Sequence, residues 1–205
     1  MMSTSPLINF CRWLSRLVWL NITWVLFTLL GGVVFGFFPA TVTMCFIIRQ
    51  YLNGAEKSTL KTMWTVFKRE FLRSNKVGWA VLIPTLSLLW YVNWGIINLS
   101  ELYSLIAISF FPLTLLLIAL IYYLMIQISI YDTDGIKNNF VSALSLLIND
   151  KQTFLMTILV GMILVLFGLF FPIIFLLFGL SPICFCTIAL LWLKNSEFQY
   201  NAYDS

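Results

Sequence analysis

The residues of this 205-residue chain that could do chemistry are few. Arg49 is the one ionisable side chain that falls within an apolar run, and an intramembrane charge is a functional candidate by default. Its expected role is an anchor that snorkels to the interface, with a partner salt bridge or a lipid phosphate as the sharper alternative. No apolar run holds a carboxylate, which ion-coupled transport ordinarily needs unless backbone carbonyls replace it. Histidine is absent, so no imidazole serves as base, relay or metal ligand within this chain. Cys184 and Cys186 stand two apart, on different sides of a helix, and there is no CxxC pair. These two and Cys11 and Cys45 read as small apolar helix residues. Asp132 and Asp134 read as helix caps. There is no Ser/His/Asp set, HExxH or Walker loop, so no enzyme, cofactor or metal is expected. Asn21, Thr23, Thr28, Asn93, Asn98 and Gln127 remain as interhelical hydrogen-bonding groups or as the lining of a solute path.

The strongest signal is electrostatic. Residues 53–76 hold six of the twelve basic residues: Lys57, Lys61, Lys68, Arg69, Arg73 and Lys76. Only Glu56 and Glu70 oppose them. Within this stretch Leu60, Met63, Trp64, Phe67 and Phe71 recur at three and four, one apolar face on a basic helix. Such a helix binds anionic lipid head groups. It also suits a protein partner, with Trp64, Phe67 and Phe71 as the contact and Lys68, Arg69 and Arg73 as its rim. A second stripe (Ile136, Phe140, Ala143, Leu144, Leu147 and Ile148) could serve the same partner.

These groups must be positioned by helices in a membrane. The chain is 61% hydrophobic and 10% charged, where a soluble domain carries roughly a quarter charged residues. Its uniformly apolar runs fit about 20-residue helical spans and not the alternating segments of a β-barrel. The expected fold is therefore an all-α polytopic bundle, one transmembrane domain over 1–205. Residues 53–76 form a basic cytoplasmic loop with an amphipathic helix, and 131–151 a second cytoplasmic segment. Residues 17–48 carry no charge; one straight helix would be about 48 Å long against a core of about 30 Å. Gly31, Gly32, Gly36 and Pro39 supply a break, with "GFFPA" as the outer turn of a hairpin. Spans over 77–97, with Pro84 inside, and 105–130, with Pro112 inside, then follow. Two more over 152–193 turn near "LFFPIIF". This totals six crossings with both termini cytoplasmic by the positive-inside rule; five, with the N-terminus outside, is the alternative.

The stretch "GFFPATVTMCFIIRQYLNG", followed by "TLKTMWTVFKREFLRSNKVG", resembles the N-terminal signature of the YesL-like bacterial membrane proteins. That signature is a Phe-Pro-Ala-Thr turn, a helix ending in Arg, and a basic segment with Trp, Phe, Lys and Phe. The likeness covers residues 20–80 and continues faintly through "NNFVSALSLLIND"; "FFPIIFLLFGLSP" departs from it. Pro39, Ala40, Thr41, Arg49, Trp64 and Phe71 are the motif positions, with no role attached. The resemblance implies a multi-pass protein of the bacterial plasma membrane, with no biochemical activity assigned to the family. It implies a link to carbohydrate uptake, because such proteins are often encoded beside sugar ABC importers. The expected function is a non-catalytic accessory subunit, with membrane lipids and ABC transporter subunits as partners and no nucleic acid. A second copy of this chain, in a homo-oligomer, is a further candidate partner, and the alternative function is an independent small-solute transporter or channel.

Overall fold

The computed structural model describes residues 6–55, 59–98, 105, 108–130, 136–171 and 177–194. Among these lie seven helices: α1 (Pro6–Leu30), α2 (Phe37–Leu52), α3 (Leu60–Asn98), α4 (Phe111–Ile130), α5 (Ile136–Asn149), α6 (Lys151–Phe170) and α7 (Ser181–Lys194). There is no strand among the described residues. Four helices are long and apolar enough to cross a membrane: Leu7–Leu30, Leu60–Ile97, Phe111–Ile130 and Lys151–Phe170. Among the described residues the chain is all-helical, with apolar helices of the kind that membrane proteins carry.

α2 is the hub. It packs against α1, α3, α4 and α7, and its side chains Val42, Cys45, Ile47 and Ile48 are fully buried. α1 runs antiparallel to it, so that Trp24 Nε1 donates to Thr41 Oγ1 at 3.1 Å while Trp13 packs edge-on to Tyr51. α7 returns beside both: Trp13 lies 4.7 Å from Phe185, and Trp192 Nε1 donates to Asn53 Oδ1 at 2.7 Å.

The hairpin break falls earlier than the "GFFPA" expectation. The turn occupies residues 31–36, and Phe37-Phe38-Pro39-Ala40 already opens α2. Two close backbone approaches decide this. A Cβ on Gly31 would lie 2.4 Å from Gly36 Cα, and one on Gly36 would lie 2.3 Å from the Thr28 carbonyl. Pro39 stands third in α2, where its missing amide hydrogen has no helical partner to lose. The turn also packs beside Asn75–Trp79 and not beside the far end of α3: Asn75 Nδ2 donates to the Phe35 carbonyl at 2.9 Å.

A second correction concerns α3. The expected basic helix and the following span are one continuous helix of 39 residues, about 58 Å long. Its charges do not end it, because Lys61, Lys68, Arg69 and Lys76 lie on the side away from the core and the one carboxylate that turns inward, Glu70, is paired with Arg69 and Arg73. Pro84 stays within the helix, as membrane helices tolerate. Pro112 is not interior: it is the second residue of α4. In α5 the buried positions are Asn139, Ala143 and Leu147, while Phe140 and Ile148 stay exposed, so the expected stripe is only partly the packed face. Asp132 and Asp134, and much of the "LFFPIIF" turn, lie outside the described residues.

Candidate functional site

The first half of α3 has two faces. Met63, Val66, Phe67, Glu70, Ser74 and Val77 point inward at helical spacing and are buried. Lys61, Lys68, Arg69 and Lys76 point outward with Trp64 and Leu72. The expected docking set is therefore divided. Phe67 is not available to a partner: it is 3% exposed and packs on Phe27 of α1 at 5.2 Å. Phe71 is half-buried and edge-on to Phe67. Trp64 stays at the surface, stacked on Phe67 at 5.5 Å with Lys68 Nζ 4.9 Å from its ring. The inward aromatics were legible as apolar; that their partner is α1 was not.

Glu70 is a residue that the sequence reading passed over. It is 2% exposed, and its Oε1 accepts from Arg69 Nε at 2.8 Å while Arg73 Nη1 lies 3.6 Å from Oε2. A buried carboxylate needs such pairing. The signal was available: Glu70 falls three after Phe67 and seven after Met63, on the inward stripe. With Lys61, Lys68 and Lys76 exposed on the outer face and in no ion pair among the described residues, the field of this surface is positive.

Arg49 corrects the anchor expectation. It does not snorkel. It is 2% exposed, donates Nη1 to the Ile130 carbonyl at 3.2 Å, and lies 5.6 Å from the Phe46 ring centroid. Ile130 is the last residue of α4, so Arg49 satisfies a terminal carbonyl and favours the negative end of that helix. Pro39, Ala40 and Thr41 are buried in the first turn of α2. The Thr41 hydroxyl donates to the Phe37 carbonyl at 2.8 Å and accepts from Trp24.

A third cluster joins α4, α6 and α7. Tyr122 Oη donates to Thr187 Oγ1 at 2.9 Å, and Thr187 and Thr157 share a hydrogen bond of 2.9 Å. At the end of this seam Asp150 caps α6, accepting from Thr153 Oγ1 at 2.6 Å and from Lys194 Nζ at 2.5 Å. Burial pushes the Asp150 carboxyl up, but the bonds from Lys194 and Thr153 outweigh it and hold the group below its ordinary range. Among the described residues no group of three His, Cys, Asp or Glu could hold a metal ion. Cys184 is buried and Cys186 half-buried, as their two-residue spacing implies. A cleft between α1, α2 and α3, bordered by Leu20, Thr23, Phe27, Thr43 and Met63, has room for about one water molecule.

Comparison with known proteins bears on this same part of the molecule. Residues 17–94 match the family described as protein of unknown function, DUF624. Three proteins of Bacillus subtilis (strain 168) are similar over stretches of comparable length. The uncharacterized protein YteU is 40% identical over 77 residues, 37% of this chain and 35% of its own. The uncharacterized protein YesV is 41% identical over 78 residues, 38% of each chain. The uncharacterized protein YesL is 37% identical over 81 residues, 39% of each. The matched region thus spans well under half the length of these relatives. No solved structure matches the chain. Most of the α1–α2 hairpin, the buried Arg49 and the two-faced start of α3 lie within the residues matched by the family model, and over that stretch the chain is similar to DUF624, in keeping with its resemblance to the YesL-like proteins.

Proposed function

We propose that the chain is a non-catalytic membrane protein that docks an acidic partner on the outer face of α3. The observation that supports this most is that face itself. Lys61, Lys68, Arg69 and Lys76 are exposed on a helix whose opposite side is locked into the core by Met63, Val66 and Phe67. A rigid basic surface lowers the ordering cost of binding and steers an acidic partner. The partner proposed is a subunit of a carbohydrate ABC importer, the association that the family resemblance implies. By the positive-inside rule this face is cytoplasmic. The start of α1 and the end of α7 then share its side, since Arg16 donates to the Ala55 carbonyl and Trp192 to Asn53. The bacterial plasma membrane is the site proposed.

The test is photo-crosslinking in the native membrane from positions 64 and 72, both exposed, followed by mass spectrometry. Capture of a permease or ATPase subunit, lost in the variant carrying Lys61→Glu, Lys68→Glu and Lys76→Glu, is expected. Capture of lipid alone, or of a second copy of this chain, sinks the accessory reading. The alternative of a self-contained solute path then becomes the one to test, by flux in liposomes, although the α1–α2–α3 cleft holds no more than about one water.

A further inference from the structure

The α1–α2 hairpin is the segment whose place in a bilayer the sequence leaves open. Three contacts fix its level along α3. Asn75 Nδ2 reaches the Phe35 carbonyl at 2.9 Å. The Phe35 and Trp79 rings lie 5.8 Å apart. A Cβ on Gly78 would meet the Phe38 ring at 2.7 Å. The turn therefore sits at the junction between the basic and apolar halves of α3. From Gly78 the helix continues for about 30 Å to Asn98, the full thickness of a hydrocarbon core. If that half spans the bilayer, the turn lies on its near, basic side. If the hairpin crossed instead, the exposed Lys61, Lys68, Arg69 and Lys76 beside it would lie in hydrocarbon, where charges are costly.

The turn is also built for lipid and not for water. Val33, Val34, Phe35 and Phe37 are exposed, and no polar side chain occurs from Leu29 to Ala40. Val33 has φ 52°, a conformation that water-facing turns give to Gly or Asn and that a β-branched residue rarely adopts. The amides of Gly31, Gly32, Val33, Val34 and Phe37 all donate to nearby carbonyls, and Asn75 serves the Phe35 carbonyl. Irregular backbone beside acyl chains must have its polar groups satisfied within the protein.

We infer that residues 31–37 are the tip of a re-entrant hairpin. Only that tip enters the bilayer, from the basic side: it rests among the acyl chains at the near edge, level with the start of the apolar half of α3, and turns back without reaching the far face. This replaces two of the six expected crossings and does not depend on the docking reading.

The test uses the full-length chain carrying Cys11→Ser and Val34→Cys, with the Cys11→Ser parent as background. A membrane-impermeant maleimide is applied to right-side-out and to inverted vesicles. The expected result is no added labelling at position 34 in either, and full labelling after denaturation in detergent. Thr65→Cys, on the exposed basic half, should label in inverted vesicles only, which shows that the chain is inserted. Labelling of position 34 in right-side-out vesicles overturns the inference in favour of a crossing hairpin. Labelling in inverted vesicles overturns it in favour of a turn in water. A nitroxide at position 34 separates lipid from protein burial: collisions with oxygen far exceeding those with a polar nickel chelate support the inference, and low collision rates with both overturn it.

Discussion

Helices α2 and α6 are both apolar and meet opposite surroundings. Thirteen of the sixteen residues of α2 are buried. Of the twenty in α6, only Thr153 is. The compositions explain the difference. α2 carries Ala40, Thr41, Thr43 and Cys45, small side chains that let other helices approach closely, and ends in an arginine held inside. α6 carries Leu155, Met156, Leu159, Met162, Val165, Leu166 and Phe170 outward, the surface that acyl chains accept. Length agrees: α2 is about 24 Å, short for a span and suitable for a core helix, whereas α6 is about 30 Å. Apolar character alone does not say whether the neighbour is lipid or protein. Small residues and buried hydroxyls do.

The largest expected effect breaks this contrast directly. Ile48→Ala removes a side chain with no exposed surface from the hub. It should lower the stability of the purified protein by about 3 kcal/mol, the cost of a buried truncation that the surroundings cannot close. Leu166→Ala, at a position 57% exposed on α6, should change it by less than about 0.5 kcal/mol. Thermal or denaturant unfolding in detergent measures both. Equal losses at the two sites would mean that α6 is packed against something, a second copy included, and that the contrast describes only the isolated chain.

A smaller effect probes how α3 seats against the hub. Gly78→Val places a side chain against the Phe38 ring, which a Cβ alone would meet at 2.7 Å. Overpacking of this kind costs about 1–3 kcal/mol. Because Gly78 lies where the basic half of α3 gives way to the apolar half, the loss should come with increased hydrogen exchange at residues 37–42. Phe38→Leu in the same chain, by shrinking the ring, should recover part of the stability. No recovery would separate the Gly78 effect from the α2 contact.

The helices themselves were largely legible. Membrane class, the hairpin between α1 and α2 and the helical character of 60–76 follow from runs of apolar residues and their breaks; the motif around Pro39–Thr41 and Arg49 came from the family resemblance. What the sequence could not say is which neighbour each apolar face meets. Phe67 looked like a docking residue because its face is apolar, and its partner turned out to be Phe27 of the same chain. Arg49 looked like an anchor because most cations near helix ends reach water; it turns inward and donates to a carbonyl 81 residues away. The charges of 61–76 suggested a loop before a span, yet a helix with its charges on one side has no reason to stop. Glu70 was readable in retrospect from inward spacing alone, since position, not polarity, decides burial there.

The smallest effect concerns how α6 is held at all. Its attachment lies in its N-terminal part, where Thr157 meets Thr187 and Asp150 pairs with Lys194 of α7. The Asp150 carboxyl is held below its ordinary range. A depressed carboxylate contributes stability that is fully present above its unfolded value, about 3.9, and is lost as pH falls through the folded one. Between pH 5 and 8 this tie should therefore be constant, and only more acidic conditions should loosen it. Asp150→Asn keeps a good helix cap and removes the charge. Because the pair is partly exposed, solvent screening limits the loss to no more than about 1 kcal/mol at neutral pH. The natural chain, followed by hydrogen exchange at residues 151–157 as pH is lowered below 4, should show a loosening that the Asn variant lacks. If both chains loosen together, the acid response arises elsewhere, and α6 is held by its hydroxyl contacts with α7 alone.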